Sequence, residues 1–290
     1  MIITVASGKG GTGKTTIATS LALSLAAELN TPPLFLDCDV EAPNAHLFLQ
    51  PTFTIQKQVG IMIPEVDEQL CTYCGKCAEV CQYHAIAVLG KKTLVFPQLC
   101  HGCGSCTALC PEHAISEVQN SIGMLEYGGA RVGLSFARGM LDVGEPMSVP
   151  IIRQLKKWAE SSPEQVVIRD APPGTSCPVV ETVRGSDYLI LVTEPTPFGL
   201  HDLRLATQMA EELGIQAGVV INRDNGPYPI LEEFCSEYHL PILLRIPFER
   251  AIAEGIAMGK SLPDIHSDFR QQFFSLFKKI DSYYSSRRTS

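Results

Sequence analysis

The 290-residue chain is 45% hydrophobic and long enough to bury a sizeable core, and its net charge of −8 argues against a binder of duplex nucleic acid, which needs a basic face to neutralise phosphates. No charged leader precedes a long apolar region, and no apolar run approaches the ~20 residues that cross a bilayer, so a cytoplasmic protein without membrane insertion is expected. Eleven cysteines would suit a disulfide scaffold in a short secreted chain, but the number is odd and eight of them fall into two regular arrays, which points to metal.

The first predicted strand is the apolar, β-branched run "MIITVAS", and Lys14 to Leu29 has the Ala- and Leu-rich spacing of a helix. Between them, Gly8 to Thr15 satisfies G-x-x-x-x-G-K-[ST]. In such a loop, backbone N–H groups from Gly8, Lys9, Gly10, Gly11, Thr12 and Gly13 wrap a phosphate, and the helix N-terminus, with Thr16 in its first turn, adds its partial positive charge. Lys14 is expected to reach the β and γ phosphates of ATP, with the Thr15 hydroxyl on Mg2+.

Lys9 narrows the reading. The form K-G-G-x-G-K-T from Lys9 to Thr15 resembles the deviant phosphate loop of the MinD, ParA, Mrp and nitrogenase iron protein group of ATPases. That resemblance implies that Lys9 reaches the nucleotide of a partner subunit, so that ATP closes a face-to-face dimer, either a homodimer or a heterodimer with a related ATPase. Further along, "LFLDCDVEAPNAH" ends a strand in two carboxylates that match the group's first switch, with Asp37 near Mg2+ and Asp39 positioning the attacking water. "VVIRDAPPG" delivers Asp170 towards Mg2+, and a backbone N–H at Gly174 could approach the γ-phosphate because glycine permits close contact. "GVVINRDN" places Asn222 where the group reads adenine, and "IPFERAIAEG" places Pro247 beside the ring. Lys9, Lys14 and Asp39 form the implied catalytic set.

Cys71 to Ile86, "CTYCGKCAEVCQYHAI", and Cys100 to Ile115, "CHGCGSCTALCPEHAI", are copies of one unit, C-x2-C-G-x-C-x3-C-x2-H-A-I. The arrays resemble those of bacterial two-cluster ferredoxins, in which the fourth cysteine of each array serves the other cluster. That resemblance implies one 4Fe-4S cluster on Cys71, Cys74, Cys77 and Cys110, and another on Cys100, Cys103, Cys106 and Cys81. Structural zinc instead favours two well-separated C-x2-C pairs. Gln82 replaces the proline found at Pro111, with only a local backbone difference expected. His84 and His113 are read as packing or capping residues rather than ligands.

Predicted strands near Ile2, Leu34, Val132, Val166, Leu189, Gly218 and Ile242 alternate with helical stretches, which argues for a doubly wound, mostly parallel α/β sheet. Residues 64–117 read as a ferredoxin-like α+β insertion in an ATPase domain made of residues 1–63 and 118–290, with "IPEVDEQ" and "VQNSIGMLEYGG" as loop punctuation at its edges. Cys38 and Cys235 are assigned to the core, and Cys177 to an ordinary buried thiol. Phe269, Phe273, Phe277 and Ile280 form an apolar stripe expected to pack onto the sheet. The leading expectation is an ATPase that couples nucleotide-driven dimer closure to electron transfer with a redox protein partner. A cluster carrier or cofactor-assembly ATPase is the alternative, and a positioning or partition protein would leave the cysteines without a task.

Overall fold

The apolar run that opens the sequence forms β1 (Ile2–Ala6), and the phosphate-loop motif leads straight into α1 (Lys14–Glu28). Residues 1–159 and 166–288 are described by the computed structural model. After α1 come β2 (Leu34–Asp37), the short α2 (His46–Leu49) and a long strand, β3 (Thr52–Val66). The cysteine segment follows as α3 (Lys76–Val80), the hairpin β4 (Ile86–Val88) and β5 (Thr93–Val95), and α4 (Ser105–Ala108). The chain then returns through β6 (Ile115–Gly129) to β7 (Ser135–Leu141), α5 (Val149–Ala159), β8 (Val167–Asp170) and α6 (Cys177–Val183). The remainder is β9 (Tyr188–Thr193), α7 (Pro197–Glu212), β10 (Ala217–Asp224), α8 (Pro229–Glu237), β11 (Ile242–Pro247), α9 (Arg250–Ala257), α10 (Leu262–Ile265) and α11 (Asp268–Arg288).

Among the described residues, nine strands make one sheet in the order β11-β10-β9-β1-β8-β2-β7-β6-β3. The first seven are parallel, as expected, and their near-continuous apolar sequences follow from burial on both faces. β6 and β3 add an antiparallel edge. One face is covered by α1 and α11, and the other by α5 to α8. Helix α1 is buried almost all round, although it carries Thr19, Ser20 and Ser24. Two of the hydroxyls are satisfied within the helix, Thr19 donating to the Thr15 carbonyl at 2.7 Å and Ser24 to the Ser20 carbonyl at 2.8 Å, while the Ser20 hydroxyl accepts from the Leu262 N–H at the start of α10 at 3.0 Å. The aromatic stripe of α11 explains the all-round burial, since Phe269, Phe273, Phe277 and Ile280 close over α1 as an outer layer.

Two expectations are corrected. Val132 belongs to a 3-10 turn with φ 57°, and the strand expected there starts at Ser135, once the chain has turned. Most of the stretches read as loop punctuation is strand: β3 and β6 pair from Thr52↔Gly129 to Val66↔Ile115 as one antiparallel ribbon, and only Asp67 to Gln69 form the expected turn. Such a ribbon tolerates polar residues on its solvated face, which is why the segments looked loop-like. β6 contacts β7 only over Gly123 to Gly129, so Ile115 to Ser121 overhang the sheet by about 20 Å at ~3.4 Å per residue. The register shifts at Val59/Gly60, where Ile122 is passed over and its carbonyl accepts from Asp142 at 2.9 Å. A Cβ on Gly60 would lie 2.7 Å from the Asn120 carbonyl, so the ribbon closes there only on glycine. Because β7 runs parallel to β2, the overhang rises on the side where β2 delivers Asp37.

Candidate functional site

Gly11 and Gly13 adopt φ 78° and 93°, which turns the chain from β1 into α1 and leaves the first N–H groups of the helix pointing into an open cleft of about 510 Å³. Of the expected nucleotide residues, Gly10, Gly11, Gly13, Lys14, Thr15, Thr16, Asp39, Asn222 and Pro247 line it. Phe248 from the β11–α9 connection and Ile252 and Ala253 from α9 form an apolar wall of which the sequence reading had singled out only Pro247. Gly8, Lys9, Thr12, Asp37, Asp170 and Gly174 are not part of this lining.

Each of these has a visible task. Gly8 abuts α7, where a Cβ would lie 2.3 Å from the Asp202 carbonyl. The Thr12 carbonyl accepts from the Asn222 amide at 2.7 Å, and the Thr12 hydroxyl is buried without a hydrogen-bond partner among the described residues. The Gly174 N–H, expected at the γ-phosphate, donates to the Ser7 carbonyl at 3.1 Å as an extension of the β1–β8 ladder. Lys9 pairs with Glu194 of its own chain at 3.7 Å.

β2 and β8 are neighbours with Asp37 directly opposite Asp170, so two fully buried carboxyls face each other beside the helix start. Asp37 accepts from the backbone N–H groups of Ala45 (3.0 Å) and Asp39 (3.3 Å), while one Asp170 oxygen accepts from the Thr15 hydroxyl at 2.6 Å. The second Asp170 oxygen is buried and has no hydrogen-bond partner among the described residues. Burial, reinforced by the facing Asp170, pushes the Asp37 carboxyl up to about 8. Burial also raises Asp170, to about 6, against the opposing pull of Lys14 and the Thr15 hydroxyl. Asp39 is raised by burial and drawn back by Lys14. Carboxyls this reluctant to ionise, with one orphaned oxygen, are a donor set suited to a hard divalent cation.

The duplicated arrays fold alike. Gly75 and Gly104 start α3 and α4 with φ 80° and 72°, and His84 and His113 both turn the chain at φ 53° and 52°. The next N–H in each copy donates to a thiol: Ala85 to Cys81 and Ala114 to Cys110, both at 3.3 Å. One small cavity is lined by Cys71, Cys74, Cys77 and Cys110, and a second by Cys81, Cys100, Cys103 and Cys106. Tyr83 and His101 stack at 3.7 Å along the second cavity, whereas the matching residues of the first, Glu112 and Thr72, are joined by a 3.4 Å hydrogen bond. Among the described residues, no three His, Cys, Asp or Glu side chains converge tightly enough to hold a single metal ion. Cys38 and Cys235 are buried as expected, but Cys177 is exposed, because it opens α6 at the protein surface.

A glycine-rich loop between the central strand and its helix, flanked by carboxylates at the ends of neighbouring parallel strands, defines a P-loop nucleotide-binding domain. The chain belongs to the CobQ/CobB/MinD/ParA nucleotide binding domain family, whose pattern matches residues 3–262. It is 34% identical to the uncharacterized protein MJ0578 of Methanocaldococcus jannaschii, over 98% of this chain and 97% of that one. A second protein of that organism, MJ0579, is 31% identical over 90% of this chain and 91% of its own length. The fold is similar to that of the septum site-determining protein MinD of Pyrococcus horikoshii in complex with Mg-ADP, with TM-score 0.57 and 19% identity over 97% of this chain and 95% of that one. It is also similar to a ParA family ATPase of Chlorobium tepidum, with TM-score 0.55 and 15% identity over 95% of each chain. No helix among the described residues is long and apolar enough to cross a membrane.

Proposed function

We propose that this protein is an ATP-hydrolysing iron–sulfur protein, in which nucleotide state controls a dimer and, through it, electron transfer between two 4Fe-4S clusters and a redox partner. The observation that carries the redox half is the partition of eight cysteines from two arrays between two cavities, each drawing three from one array and the fourth from the other. Bound there, the clusters would supply one-electron chemistry at low potential. A cubane spreads its thiolates over four irons, so its cysteines stand wider apart than the ligands of one ion. The donated N–H groups of Ala85 and Ala114 would stabilise the thiolate form of Cys81 and Cys110.

In the nucleotide half, Lys14 would exchange its neighbouring carboxylates for the β and γ phosphates, and Thr15, Asp37 and Asp170 would hold Mg2+. Asp39, which lines the cleft, would orient the attacking water. The Gly174 N–H would have to leave the Ser7 carbonyl to meet the γ-phosphate, which makes that hydrogen bond the element that reports ATP. The β3–β6 ribbon starts two residues after α2, so movement at the first switch reaches the cysteine segment through a continuous strand. Residues 64–117 are proposed as the ferredoxin-like unit.

Anaerobic purification followed by iron and sulfide analysis tests the reading, together with electrochemistry with and without Mg-ATP. About eight irons per chain and a nucleotide-dependent potential are expected. Iron-free or zinc-loaded material would remove the redox half.

A further inference from the structure

Glu194 sits where β9 ends and α7 is about to start, and it binds two cations from different parts of the chain. Its Oε1 lies 2.6 Å from Arg223 Nη1, and its Oε2 lies 3.7 Å from Lys9 Nζ. The carboxylate is the least exposed of the three side chains, at 12% against 35% for Lys9 and 53% for Arg223. Its own backbone is fixed, because the Glu194 carbonyl accepts from Thr196 at 2.8 Å. The loop opposite is fixed too: the Lys9 carbonyl accepts from the Ser7 hydroxyl at 2.7 Å, and Gly8 meets α7 at the Asp202 backbone. The lysine side chain is therefore the part of this contact with freedom to move.

We propose that Glu194 is the positioning residue for Lys9: it holds the lysine against its own chain and releases it when a second copy presents a nucleotide. The proposal rests on the ATP-driven dimer put forward above. The unequal distances are what make release feasible. The longer contact, to Lys9, breaks, while the shorter one, to Arg223, remains, so departure of the lysine leaves no unpaired charge on a mostly buried carboxylate. Arg223 follows Asn222 directly and lines the nucleotide cleft, which places the retained cation beside the bound base. Dimer closure breaks one such contact in each chain, so the effect on association enters twice. A partly exposed pair changes an equilibrium by about two- to five-fold, and the dimer constant therefore carries roughly a tenfold penalty.

The test compares wild type, Glu194→Gln, Glu194→Asp and Lys9→Ala by sedimentation velocity with Mg2+ and a non-hydrolysable ATP analogue. Glu194→Gln should tighten the dimer about tenfold, Glu194→Asp should return towards wild type, and Lys9→Ala should remain monomeric. A second readout needs no dimer: in nucleotide-free protein, acylation of Lys9 followed by mass spectrometry should be faster in Glu194→Gln than in wild type. A purely structural role for Glu194 would weaken the dimer and lower Tm in the Gln variant, opposite in sign to the expectation. Unchanged dimerisation or unchanged acylation in Glu194→Gln overturns the proposal, while the dimer reading stands if wild type associates and Lys9→Ala does not. If wild type stays monomeric with the analogue, the dimer reading itself falls and takes the release role with it.

Discussion

The Asn222 side-chain amide donates to the Thr12 carbonyl at 2.7 Å, joining positions 210 residues apart. The same amide nitrogen would lie 2.4 Å from a Cβ at Gly13, so β10 and the phosphate loop constrain each other. Asn222→Ala leaves the Thr12 carbonyl without this buried donor and should destabilise the protein by about 1–3 kcal/mol. ATP binding should weaken about tenfold in the same variant, as a loop held less firmly binds less tightly. Thermal unfolding and calorimetric titration check the pair of effects; an unchanged Tm with weakened ATP binding would assign the amide to the base alone.

The facing carboxyls give a pH dependence. Asp37 and Asp170 are raised from the ordinary carboxyl value of 3.8 to about 8 and about 6, so their neutral forms favour the folded state. That stability is complete below the ordinary value and is lost as pH rises through about 6 and then about 8. In Mg2+-free, nucleotide-free protein, Tm should fall between about pH 4 and about pH 8 and level off above that, because the unfolded carboxyls ionise first and the folded pair last. Mg-ATP should raise Tm by more at the alkaline end, because the cation favours the ionised pair. Asp37→Asn should flatten the upper part of the curve. A profile that is level in wild type would contradict the assignment.

The proposed interlaced ligation predicts a pattern of additivity. Cys71→Ser and Cys110→Ser strike the same cavity, so the double variant should lose little more iron than either single one, about half of the total. Cys71→Ser with Cys81→Ser strikes both cavities and should remove nearly all of it. Iron analysis and low-temperature EPR of anaerobic protein distinguish this from two self-contained arrays, for which Cys71→Ser and Cys81→Ser would affect one cluster.

Where the ribbon joins the sheet, Glu126 is buried and binds Arg138 at 2.7 Å and the Gln56 amide at 2.8 Å, while the Arg138 guanidinium lies 4.7 Å over Phe53. Glu126→Ala leaves that guanidinium mostly buried and unpaired, and should cost about 3–5 kcal/mol in urea unfolding. Glu126→Gln retains the shape and should cost less.

Legibility in the sequence followed the range of the interactions. The phosphate loop, its helix and the two carboxylate-ended strands could be read because each is a local pattern: a turn needing glycine, or an apolar run stopping at aspartate. The ribbon could not. Its Gly, Asn and Pro residues look like punctuation, and only pairing between residues such as Ile63 and Val118, far apart in the chain, makes them strands. The passed-over Ile122 breaks the alternation that would otherwise have signalled a strand. Glu194 was missed for a similar reason: an acidic residue after β9 carries no mark of its partners, which come from the phosphate loop and from the residue after Asn222. Val132 was misplaced because an apolar residue next to glycine in a tight turn has the composition of a strand start.

The cysteine segment leaves and rejoins the sheet through adjacent positions, with Val59 paired to Gly123 just below the shifted register. Such an entrance and exit make the unit a cassette: its two ends are already as close as those of a hairpin. Replacing residues 61–120 by a two-residue turn should leave a colourless sheet that still takes up nucleotide. The reverse graft, onto any other hairpin edge of matching twist, should carry the unit to a new host.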